Sequence, residues 1–198
     1  MAVLVILDLP GATTEQYEKV NEVLGVLSES DAPEGLISHA AGVTDEGLLI
    51  VDLWESEQAA AAFFARGVDE TMAAAGAPTP PGPPRMLPVH NHFQGKGETA
   101  GVLMIADVDG LTPDMYDSMT AAMEEHELHG PGHPAVHHVA AVKENGDVLV
   151  IDIWESPEAF GEFASEQIAP AGQDAGLASF EPRFVPIHNR LRGASLVS

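Results

Sequence analysis

The chain has 198 residues, 45% of them hydrophobic and 20% charged, enough to build one or two buried cores. Eight Lys and Arg stand against 31 Asp and Glu, a formal net charge of −23 that repels phosphate backbones and anionic lipid surfaces, so neither nucleic acid nor membrane is an expected partner. No cysteine is present, which excludes disulfides, thiolate nucleophiles and cysteine-ligated clusters and leaves His, Asp and Glu for any metal.

The run Val3 to Leu7 is apolar but has no basic flank and stops at Asp8, so it reads as a strand over 3–9 and not as a signal peptide or anchor; a cytoplasmic location is the default. Thr13 or Thr14 can cap a helix to about Leu27, with Tyr17, Val20, Leu24 and Leu27 on one stripe. Residues 35–42 and 47–54 read as a hairpin through Thr44-Asp45-Glu46-Gly47. A second, Ala-rich helix is expected over about 56–75, started by Ser56. The Pro-rich stretch over 73–84 ends it as a stiff loop, and a last strand carries Arg85 to His92.

The same order then returns. Val-Leu-Val-Ile-Leu-Asp8 recurs as Val-Leu-Met-Ile-Ala-Asp107, and Val51-Asp-Leu-Trp-Glu-Ser56 as Ile151-Asp-Ile-Trp-Glu-Ser156. Pro84-Arg-Met-Leu-Pro-Val-His-Asn91 recurs as Pro182-Arg-Phe-Val-Pro-Ile-His-Asn189. Three anchors in one order mark a duplication, with units at 1–94 and 100–198 and a polar, Gly-containing linker at 95–99. Each unit reads βαββαβ. Its sheet, with both helices on one face, alternates apolar residues on both faces, so the expected solution is sheet against sheet within one chain.

The order, with His39, Gly47, Asp52-Leu-Trp-Glu-Ser56, Phe63 and Pro88-Val-His-Asn91, resembles the dimeric α/β-barrel superfamily near the antibiotic-biosynthesis monooxygenases. The implied fold is α+β: two tandem ferredoxin-like units forming an intrachain dimeric α/β barrel, a pseudo-dimer with a further homodimer left open. In relatives the ligand lies between helices and sheet, which directs attention to polar or aromatic residues recurring in both units.

Five pairs qualify: Tyr17 with Tyr116, His39 with His138, Asp52 with Asp152, Trp54 with Trp154, and His90-Asn91 with His188-Asn189. His39 and His138 are candidate general bases because imidazole titrates near neutrality; the competing reading is a buried, hydrogen-bonded histidine. Asp52 and Trp54, two apart on one strand face, are candidates for a pocket edge or for a strand-end tie and a core plug, as are Asp152 and Trp154. In His90-Asn91 and His188-Asn189 the two side chains of each pair should point opposite ways, one inward; an interface role stands level with a pocket role. Asp52, Asp152 and the two histidines are thus placed in the chemistry, and the Tyr, Trp, His90, His188, Asn91 and Asn189 in substrate binding.

The segment His126-Glu-Leu-His129-Gly-Pro-Gly-His133-Pro-Ala-Val-His137-His138 has no counterpart in the first unit. Clustered imidazoles suit borderline metals, but the spacing matches no metallohydrolase, so a surface loop is preferred and no metal is assigned. Asp107-Val-Asp109-Gly110 lacks most ligands of a calcium loop, Gly95-Lys-Gly97 lacks the arch of a phosphate loop, and no Gly-x-Ser-x-Gly occurs. The resemblance implies a cofactor-independent monooxygenase or cyclase acting on an aromatic or polyketide-like small molecule. The alternative is a non-catalytic carrier of a small apolar ligand, with haem or a divalent metal as the cofactor to consider. The second unit, with its added histidines, is expected to hold the more active pocket.

Overall fold

The computed structural model describes residues 1–124, 129–177 and 179–193. The chain divides into two compact units: residues 1–86 with the described residues from 186 onward, and residues 87–185. The chain is α+β, and no described helix is long and apolar enough to cross a membrane.

Unit 1 begins with β1 (Val3–Pro10) and α1 (Thr14–Leu24), and continues through the hairpin β2 (Leu36–Thr44) and β3 (Gly47–Trp54). Helices α2 (Glu57–Phe64) and α3 (Val68–Ala74) follow. Thr13 caps α1 in a reciprocal box with Gln16, and Gly25 ends the helix in the left-handed region at φ 69°. The helix therefore stops short of Leu27, which is exposed. The single helix expected over 56–75 is two: Gly67 adopts φ 92°, a conformation open to glycine that breaks the ladder between α2 and α3.

Unit 2 repeats the plan with β5 (Val102–Asp107), α4 (Pro113–Glu124), β6 (His137–Val142), β7 (Val148–Trp154), α5 (Pro157–Phe163) and α6 (Ala169–Ala175), the last two joined by a π-helical turn over Ala164–Ile168. Each unit is completed by the other repeat's last strand. Strand β8 (Arg183–Arg192) pairs antiparallel with β2, and β4 (Arg85–Gln94) pairs antiparallel with β6. The sheet of unit 1 runs β1-β3-β2-β8 and that of unit 2 β5-β7-β6-β4. The sequence repeat at 1–94 and 100–198 and the compact units thus differ by one exchanged strand.

Within unit 2, the segment read as a linker is bound along the loop before β6. Gly95 N donates to Val136 O at 3.3 Å, Lys96 N to His133 O at 2.8 Å and Gly97 N to Ala135 O at 3.1 Å. Glycine is needed for that approach, because a Cβ on Gly95 would lie 2.2 Å from Ala135 O.

Candidate functional site

Hairpin register builds the first half of each site. His39 lies five residues before Thr44 and Asp52 five after Gly47, so the tight turn sets them opposite each other across β2 and β3. His39 Nδ1 lies 2.6 Å from Asp52 Oδ1. In unit 2 the same register sets His138 opposite Asp152, with Nδ1 and Oδ1 2.8 Å apart but off the line of an ideal hydrogen bond.

The first helix supplies the third member. Tyr17, one turn into α1 on its buried stripe, places its hydroxyl 2.6 Å from His39 Nε2; Tyr116 on α4 does the same to His138 Nε2 at 2.7 Å. With Nδ1–H turned to the carboxylate, each imidazole presents a lone pair at Nε2 and the phenol donates to it. Two Tyr–His–Asp chains result, built from six of the residues that recur between repeats.

Burial shifts the two tyrosines, and a neighbouring imidazole shifts Asp152. Burial pushes the Tyr17 phenol up to about 12, an effect that Asn21 and Asn189 partly offset, and it raises Tyr116 as well, with Asn91 opposing. Burial would also raise Asp152, but His138 beside it outweighs this and holds the carboxyl below its ordinary range. Both tyrosines therefore stay protonated phenols near neutral pH, and in unit 2 Asp152 is a carboxylate.

The strand from the other repeat closes each site. In β4 the register shifts between Val89 and Asn91, and in β8 between residues 187 and 189, opposite Gly42 and Ala41. This corrects the expectation that His90 and Asn91 point opposite ways, since a bulge turns both toward the same helix. Asn91 Nδ2 donates to Tyr116 Oη at 3.1 Å, while His90 meets the Tyr116 ring edge-on with centroids 5.5 Å apart and reaches Asp117 at 2.6 Å. His188 likewise meets Tyr17 edge-on and reaches Glu18 at 3.2 Å.

Apolar walls surround both chains. In unit 1 a pocket of about 90 Å³ is lined by Leu, Val and Ile of the sheet, Trp54, Phe63 and Phe64, with Tyr17, His39, Asp52, Gln16 and Asn21 as its polar members. In unit 2 the pocket is about 70 Å³ and is lined by Phe93, three methionines, Phe160, Phe163 and the Tyr116–His138–Asp152 chain. Apolar walls with a few convergent polar groups are the character of small-molecule sites.

The two tryptophans differ. Trp154 Nε1 donates to Asp152 Oδ2 at 3.2 Å, whereas the buried Trp54 Nε1 has no hydrogen-bond partner among the described residues. Trp54 stacks at a tilt on Phe63, and both indoles are 1% exposed, so the core-plug reading and the pocket-edge reading both describe Trp54.

The histidine loop corrects a second expectation. His133 is not on the surface but 5% exposed, packed against Phe163, Trp154, Phe93 and His138 and lining the pocket. His129 Nε2 lies 3.1 Å from Asn91 Nδ2. Sequence reasoning tied the added histidines to the second unit's pocket, because the loop has no counterpart in the first repeat, but not the burial of His133 or the His129 contact to Asn91. His126 lies outside the described residues. Among the described residues no group of three His, Asp or Glu side chains is arranged to hold a metal ion. For haem, the two strand histidines would need to surrender the tyrosine bond at Nε2 before ligating iron.

No family model matches the chain, and no curated protein matches it. Solved structures do. A candidate monooxygenase from Fusobacterium nucleatum aligns over 96% of this chain and 94% of its own at TM-score 0.66 and 9% identity. One from Lactobacillus acidophilus aligns over 96% of each chain at TM-score 0.63 and 11% identity. An anthrone oxidase-like protein aligns over 98% of this chain and 94% of its own at TM-score 0.51 and 17% identity. At such identities the likeness speaks for the fold alone: this chain carries a tandem ferredoxin-like α+β fold, shared with these candidate monooxygenases.

Proposed function

We propose that the protein is a cofactor-independent monooxygenase acting on an aromatic, polyketide-like small molecule held between helices and sheet. The observation that carries this reading is the Tyr–His–Asp chain at the floor of an apolar pocket, present in both units. A ring CH2 beside a carbonyl is acidic because its carbanion is an enolate. The phenol oxygen takes that proton as its own passes to His Nε2, and the carboxylate holds the imidazolium that forms. Asn91 Nδ2, already on Tyr116 Oη, stabilises charge developing on that oxygen.

The substrate supplies the electrons. Its enolate carbon adds O2, and the resulting hydroperoxide loses water to leave a second carbonyl, so CH2 plus O2 gives C=O plus H2O. An apolar pocket favours this step by excluding the water that would reprotonate the enolate. A cyclase would use the same proton transfer; the monooxygenase is preferred because three structural neighbours carry oxidative names, one of them anthrone oxidase-like. A carrier of a small apolar ligand would need the pocket but not the relay.

The test is oxygen uptake with anthrone and no added cofactor. One O2 consumed per anthrone, with anthraquinone formed faster than in buffer and slowed by His138→Ala, supports the reading. Uptake equal to buffer overturns it.

A further inference from the structure

We infer that His133 is a ligand-binding residue of the unit 2 pocket, donating its Nε2–H to an oxygen of the bound aromatic molecule, a carbonyl or a phenolate. The inference rests on the pocket reading above and names the contact that would orient the molecule there.

The argument starts from the backbone. His133 Nδ1 accepts from Ala135 N at 3.1 Å, which requires a lone pair on Nδ1 and puts the ring proton on Nε2. The loop that holds this ring is itself fixed, because Lys96 N donates to His133 O at 2.8 Å and Gly97 N to Ala135 O at 3.1 Å. Burial drives the histidine down to about 4, with the nearby Asp152 opposing, so the ring stays neutral and keeps this tautomer near neutral pH.

Nε2–H has no acceptor among the described residues. The ring is held edge-on to Phe163 at 4.7 Å, Phe93 at 5.4 Å and Trp154 at 5.5 Å between centroids, and none of these offers a strong acceptor. His133 as a residue is 5% exposed and lines an apolar cavity, where an N–H is costly unless something in that cavity accepts from it. A flat aromatic molecule with an oxygen on its rim meets both demands, ring faces for the apolar walls and an acceptor for Nε2–H. A metal ion does not fit the same nitrogen, because ligation would move the proton to Nδ1, against the Ala135 N–H.

Unit 1 has no histidine at this place; its unpartnered donor at the pocket is the indole Nε1–H of Trp54, carried by β3 and not by the loop before β2. Residue 34, at the corresponding place before β2, is Glu34, which is exposed. The contact is therefore a specificity device of one pocket and separates molecules with a rim oxygen from those without.

Two measurements test it, both with 9,10-anthraquinone and its oxygen-free counterpart 9,10-dihydroanthracene. In the full chain, nitrogen-detected NMR of His133 should show the Nε2–H tautomer, and anthraquinone should shift that proton downfield while dihydroanthracene leaves it in place. With Trp54→Phe, Trp154 is the sole tryptophan and reports on unit 2 by fluorescence. In that background His133→Phe should weaken anthraquinone about tenfold and leave dihydroanthracene unchanged. An Nδ1–H tautomer overturns the inference, as does equal sensitivity of the two probes to His133→Phe. If neither probe perturbs His133 or Trp154, the pocket reading itself fails and the contact fails with it.

Discussion

Asn91 and Tyr116 come from different sequence repeats, yet Asn91 Nδ2 donates to Tyr116 Oη at 3.1 Å. The bond exists because β4 leaves its own repeat and pairs with β6, and because the bulge before Asn91 turns its side chain toward α4. Each candidate site therefore depends on residues distant in sequence, and a change in one repeat is felt in the other's chemistry.

That dependence is measurable. Asn91→Ala should slow turnover about tenfold by removing the donor on Tyr116 Oη, and Tyr116→Phe about a hundredfold or more by removing the relay. The double variant should be no slower than Tyr116→Phe alone. Additive losses, measured as kcat/KM on anthrone, would show that the two side chains act separately.

The two units should not contribute equally. His138→Ala should remove most turnover and His39→Ala much less, because unit 2 alone has both the His133 donor and the Trp154–Asp152 bond. Circular dichroism melts of both variants distinguish loss of chemistry from loss of fold. Equal losses would mean two equivalent pockets.

Acid should weaken the fold through His133. Its folded value of about 4 lies below the ordinary 6.5, so on acidification the unfolded chain takes up a proton that the folded chain refuses. Stability is then full above about 6.5 and declines as pH falls toward 4, by on the order of 3 kcal/mol from this group. His133→Phe should flatten that interval in urea titrations across pH. An unchanged slope would place the ring in solvent.

Residues 1–94 expressed alone hold β4, the partner of β6, and lack β8, the partner of β2. The fragment should self-associate, β4 of one copy taking the place of β8 beside β2 of another, or aggregate. A well-folded monomer in sedimentation would contradict this.

A net charge of −23 on 198 residues should make stability rise with salt as repulsion is screened. Melting temperatures compared from low to moderate sodium chloride test it, and a flat profile would show that the acidic side chains are already paired or well spread.

The repeat, the strand and helix order and the six residues of the two Tyr–His–Asp chains were readable from sequence, because duplication prints the same chemistry twice and hairpin turns fix cross-strand register. The histidine opposite each aspartate follows from counting outward from Thr44 and Gly47. Three features were decided only in three dimensions. The break at Gly67 depends on one backbone angle that an Ala-rich sequence does not announce. The turn of both His90 and Asn91 toward α4 depends on a bulge, which adds one residue to a period of two and so defeats alternation. The burial of His133 depends on residues 95–97 binding its loop backbone, a long-range contact made by main-chain atoms that every residue shares and that no side-chain pattern encodes.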